Sequence, residues 1–95
     1  MDKFLPIRLT LALGLIWAGA ASAAQPIKIG AIVPLQDVGG HDSAKSMALA
    51  VKEINQAGGL LGRTLELIVI DDGMNPEKGA AAIEKLATVD KVDFF

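Results

Sequence analysis

The 95-residue sequence has no cysteine and one histidine. Without thiols there is no disulfide, no thiolate metal site and no cysteine for lipid attachment. A lone His41 supplies neither a nucleophilic set nor a pair of imidazoles for a metal. No basic cluster occurs, and Lys and Arg (9) are outnumbered by Asp and Glu (11), a balance that argues against nucleic acid as a partner. Beyond the first two dozen residues, no apolar run approaches the roughly 20 residues a membrane helix needs. The dinucleotide pattern G-x-G-x-x-G is missing, because Gly30 is followed by Ala31-Ile32-Val33. The esterase pattern G-x-S-x-G is missing too. No cofactor, no metal and no catalytic activity is expected from these residues. Neither an internal repeat nor a low-complexity linker is visible.

The chain opens with an export pattern. Lys3 and Arg8 give a positive start that outweighs Asp2, and residues 9–20 are apolar apart from Thr10. Ala21-Ser22-Ala23-Ala24 then places small residues where a signal peptidase reads them. Residues 1–24 are read as a signal peptide, cleaved before Ala24 or before Gln25. The competing reading, a short membrane anchor, has too short an apolar run to span a bilayer. The expected location is the periplasm, with no lipid tether. Residues 25–95 are then slightly acidic. A domain of about 70 residues buries only about 60% of its surface and is marginal without disulfides or metal. The expectation is therefore the start of a longer chain.

Residues 27–33 read as a first strand, short and apolar, ended by Pro34. Gly30 leaves room there for another element to come close. Residues 35–42 read as a loop made flexible by Gly39-Gly40, with Asp42 or Ser43 capping a helix over 43–57. Ala44, Met47, Ala48, Val51 and Ile54 form its apolar stripe. Gly58 ends the helix, and Leu60 or Leu61 is expected to fold back on its last turn. A turn at Gly62-Arg63 leads into a second strand over 64–70, with Leu65, Leu67 and Val69 on one face. Asn75-Pro76-Glu77 starts a second helix: an Asn cap, a proline at the first position and an acid in the first turn. Its expected stripe is Ala80, Ile83 and Ala87, with Leu86 beside it. Residues 92–95 open a third strand.

The order β-α-β-α-β with short connections gives an α/β fold, one part of a doubly wound parallel sheet with right-handed crossovers. Ligands of such sheets bind at the carboxyl ends of the strands, here the loops after Val33 and after Ile70 and whatever would follow Phe95. Gln36 and His41 lie in the first of these loops and are candidate ligand contacts; His41 is alternatively an exposed loop residue. Gly39-Gly40-His41-Asp42-Ser43-Ala44-Lys45-Ser46 comes close to a phosphate loop. It has Ala44 where the second glycine must be, it starts well after the strand, and an exported protein meets little ATP. Asp71-Asp72 make a poor acid/base pair, because adjacent strand-end residues point apart. One is expected to brace backbone and the other to be solvated.

Ile27-Lys28-Ile29-Gly30, Pro34-Leu35, Ala50-Val51-Lys52-Glu53-Ile54-Asn55-Gln56-Ala57-Gly58-Gly59 with Leu61-Gly62-Arg63, Glu66-Leu67, Asp71-Asp72, Asn75-Pro76 and Lys91-Val92-Asp93-Phe94 together resemble one family. It is the leucine/isoleucine/valine-binding receptors of ABC importers, and the resemblance covers residues 27–95. It implies the N-terminal lobe of a type I periplasmic binding protein. Two lobes would close on a small ligand, an amino acid, and the closed form would dock on a permease in the inner membrane. The ligand's α-amino and α-carboxylate groups would be held mainly by residues beyond Phe95 and by the second lobe. Gly40 corresponds to the family's loop glycine and joins Gln36 and His41 as a ligand-binding candidate. The loop departs from the family pattern: it is shorter, and no aromatic occurs in Gln36-Asp37-Val38-Gly39-Gly40-His41. Amides, urea and aromatic acids, which relatives bind, therefore stay open beside branched-chain amino acids. An exported sensory domain of the same fold is the alternative in another class.

Overall fold

The computed structural model describes residues 24–95. The expected signal peptide lies outside them, apart from Ala24. Strand β1 (Ile27–Val33) and strand β2 (Leu65–Asp71) pair in parallel, from Ile27 opposite Leu65 to Val33 opposite Asp71. Helix α1 (Val38–Gln56) connects them, and helix α2 (Pro76–Thr88) follows β2. Each helix packs on both strands, and the two helices do not approach each other. They therefore cover opposite faces of the sheet, which is why both strands are apolar along most of their length.

The third strand is present as a single parallel bridge, Phe94 to Ile29. The Gly30 N–H donates to the Phe94 carbonyl at 2.8 Å, and the Asp93 carboxylate accepts from the Lys28 N–H at 2.9 Å. β1 thus has a partner on each side, and β2 forms an edge among the described residues.

Among the described residues the core is small: Ile27, Leu65, Ala82 and Leu86 are buried, and only Leu86 completely so. Leu86 occupies the space that the missing side chain of Gly30 leaves. A Cβ on Gly30 would stand 2.9 Å from Leu86 Cδ1. The packed stripe of α2 is Ala82 and Leu86, one turn apart, whereas Ala80, Ile83 and Ala87 are exposed. The expected phase was off because Ala80-Ala81-Ala82 carries no amphipathic signal of its own.

Helix α1 begins five residues earlier than the expected Ser43, and its cap is Asp37 rather than Asp42 or Ser43. The Asp37 carboxylate accepts from the N–H groups of Gly39 (3.0 Å) and Gly40 (3.4 Å). This satisfies donors that a helix start leaves unpaired. Gly39 and Gly40 are accordingly helical, not flexible. Gly40 is buried, and a Cβ there would lie 2.1 Å from the Pro34 carbonyl oxygen.

The C-terminal end of α1 follows the expected glycine logic. Gly59 N–H bonds to the Ile54 carbonyl and Gly58 N–H to the Asn55 carbonyl, with both glycines at positive φ. This is the Schellman arrangement. Leu60 and Leu61 do not fold back on the helix: they are 50% and 88% exposed. Leu60 instead pairs with Arg63 through two backbone hydrogen bonds around Leu61 (φ 54) and Gly62 (φ 73), a tight turn of type I′. Asn55 joins the end of α1 to the start of β2. Its amide accepts from Leu65 N–H at 2.8 Å and donates to the Leu65 carbonyl at 2.9 Å, as a neighbouring strand would.

Candidate functional site

The carboxyl ends of β1 and β2 lie side by side, because Val33 and Asp71 are register partners. Two loops leave this edge, residues 34–37 towards α1 and residues 72–75 towards α2. One side chain ties them together. The Asp71 carboxylate accepts from Leu35 N–H (3.1 Å), from Gln36 Nε2 (2.6 Å) and from Gly73 N–H (2.9 Å). The Asp72 carboxylate accepts from Met74 N–H at 2.9 Å. Both aspartates therefore brace backbone, where the sequence led us to expect one bracing and one solvated.

These donors set the protonation state. The Gly73 N–H and then the Leu35 N–H hold the Asp71 carboxyl below its ordinary value of 3.8. Partial desolvation opposes them, and the Gln36 amide and the Lys78 charge add to them. The group stays ionised at neutral pH and acts only as an acceptor.

The three candidates separate. Gln36 is exposed and its amide nitrogen is engaged by Asp71. Gly40 lies inside α1 against Pro34 and presents no side chain at the edge. His41 also belongs to the first turn of α1 rather than to a loop. It is exposed, with Nδ1 3.7 Å from an Asp42 carboxylate oxygen. Among the described residues no group of three or more His, Cys, Asp or Glu side chains could hold a metal ion. No described helix is long and apolar enough to cross a membrane. The Asp71 link between loops was missed at the sequence level. Its one visible signal is the Asp-x-Gly run at Asp71 to Gly73, which fits an Asx turn; the bond to Gln36 joins residues 35 apart in the chain.

The fold and its edge define an open parallel α/β lobe with two strand-end loops joined by a carboxylate. Residues 26–95 match the profile of the periplasmic binding protein family, and the chain belongs to that family. It is similar to the Leu/Ile/Val-binding protein homolog 7 of Brucella abortus and of Brucella suis, 30% identical over 95 residues. The match takes in 97% of this chain and 23% of those proteins, so the chain spans about a quarter of their length. Among solved structures it is similar to the branched-chain amino acid transporter substrate-binding protein LivJ from Streptococcus pneumoniae, in complex with isoleucine. There the TM-score is 0.65 and the identity 33%, over 70% of this chain and 20% of that one. It is also similar to a fatty acid ABC transporter substrate-binding protein from Thermomonospora curvata, with TM-score 0.62 and identity 34%, over 65% of this chain and 17% of that one.

Proposed function

We propose that this chain is part of an extracytoplasmic solute-binding receptor of an ABC importer, and that its ligand is a branched-chain or related amino acid. The supporting observation is the similarity at 33% identity to a structure holding isoleucine, within a family match that runs from residue 26 to residue 95. The receptor binds and does not convert its ligand; it delivers it to a permease in the inner membrane. The first 24 residues act as the export signal. The strand-end edge faces the ligand, with Gln36 and His41 contributing polar groups and Gly40 holding the first loop close to α1. A second reading, a carboxylic acid without an amino group, is favoured by the similarity to the fatty acid receptor.

The test is thermal shift of the full-length protein against L-leucine, L-isoleucine, L-valine, L-glutamine, urea and octanoate. A ligand present at 100 times its Kd adds about 2.7 kcal/mol to stability. We expect a clear rise in melting temperature with the branched-chain acids. A rise with octanoate alone would favour the second reading, and no rise with any amino acid would refute the first. N-terminal sequencing of the exported protein is expected to start at Ala24 or Gln25.

A further inference from the structure

The backbone donors at the strand-end edge are already in use. The N–H groups of Gly39 and Gly40 go to Asp37, those of Glu77 and Lys78 to Asn75, those of Leu35 and Gly73 to Asp71, and that of Met74 to Asp72. Both helix starts are thus closed by their own cap side chains, and this edge has few N–H groups left for an anionic ligand end. The nearest cation, Lys78, places Nζ beside Gly73, where it acts on Asp71.

An acceptor is what this edge offers. An ionised carboxylate accepts and cannot donate, so it dictates which end of the Gln36 amide turns towards it. Nε2 takes that place at 2.6 Å, and Oε1 is left facing away from Asp71. Among the described residues no donor is hydrogen-bonded to that oxygen. The Leu35 N–H bond to the same carboxylate fixes the backbone beside it.

We propose that Asp71 is a positioning residue: by holding the Gln36 amide nitrogen, it presents Gln36 Oε1 as an acceptor for an N–H or ammonium donor on the ligand. The inference rests on the amino-acid reading and sharpens it. The corner discriminates a ligand with an amino group from an acid of the same skeleton without one. Asp71→Asn inverts the corner, because an Asn amide nitrogen can donate to Oε1 and turn the Gln36 amide round.

The experiment uses the full-length protein, L-leucine, and 4-methylpentanoate, which is leucine without its amino group. Calorimetric titration is expected to show that Gln36→Leu and Asp71→Asn each weaken L-leucine about tenfold or more, the usual weight of a hydrogen bond to a charged group. Binding of 4-methylpentanoate should change less than about twofold, and the double variant should bind L-leucine no worse than the weaker single variant. A purely structural role for Asp71 predicts equal losses for both ligands, and that result would overturn the proposal. So would wild-type binding that prefers 4-methylpentanoate. If the wild type bound neither compound nor any other amino acid, the amino-acid reading would fall. The clasp would then be judged on the Gln36 side-chain amide resonances of the unliganded protein. They must move in Asp71→Asn, and resonances that stay put would refute it.

Discussion

A methyl group at position 40 has nowhere to go. Its nearest neighbour would be the Pro34 carbonyl oxygen at 2.1 Å, a backbone atom that cannot swing aside. At position 39 the same methyl group would stand 3.0 Å from an Asp37 carboxylate oxygen, on a side chain that can rotate. Gly40→Ala is therefore expected to destabilise the full-length protein by about 3 kcal/mol, at the upper end for overpacking, and Gly39→Ala by much less. Urea denaturation checks the pair, and equal losses would contradict the packing described. At Asp71 the account is electrostatic. Its pKa in the folded protein lies below the ordinary 3.8, chiefly through the Gly73 and Leu35 N–H groups. The unfolded chain therefore takes up this proton first as pH falls. Asp71's contribution to stability is complete above that ordinary value and is lost as pH drops through 3.8 towards the lower folded value. Asp71→Asn should accordingly show a shallower acid limb of stability than wild type below about pH 4, and a constant offset from it above about pH 5. An unchanged acid limb would contradict the clasp.

Between elements, Asn55 ties α1 to β2, its amide closing two hydrogen bonds on the backbone of Leu65. Asn55→Ala leaves both Leu65 groups half-buried and unpaired, so a loss of about 1–3 kcal/mol is expected in denaturant unfolding of the full-length protein. A loss within error of zero would mean that water replaces the amide freely. Asn55 also shows what was legible in the sequence. The element types, their order and the caps at Asn75-Pro76 and Gly58-Gly59 follow from local chemistry, and the structure has them. The side of α1 that packs follows in part, at Ala44, Met47 and Val51. Apolar spacing picks Ala44, Met47, Ala48, Val51 and Ile54; the less exposed positions are Gly40, Ala44, Met47, Val51 and Asn55. A glycine and an asparagine carry no hydrophobic signal, yet one packs on Pro34 and the other imitates a strand. The early start of α1 was hidden for a related reason. Gly39-Gly40 reads as freedom until the Asp37 cap takes their N–H groups and the Pro34 contact requires a residue without a side chain at position 40.

At the scale of the whole molecule, the described residues bury little apolar surface. Among the described residues Leu86 is the one completely buried large side chain, while Leu61, Val38, Met74, Phe94 and Phe95 are 62% to 88% exposed. Residues 25–95 in isolation are therefore expected to melt without a cooperative transition, a point that calorimetry of the fragment decides. Under the proposed reading, the edge contributes two loop ends and one amide to the ligand site. The sequence could indicate which edge matters, from the strand order, but not the Asp71 to Gln36 bond that joins its two loops, because no local pattern encodes a contact between distant loops. The proposed function is that these residues belong to a receptor for a branched-chain amino acid. Calorimetric titration of the full-length protein with L-isoleucine tests it most directly. A saturable one-to-one binding heat is the predicted result, and no heat with L-isoleucine, L-leucine or L-valine would contradict it.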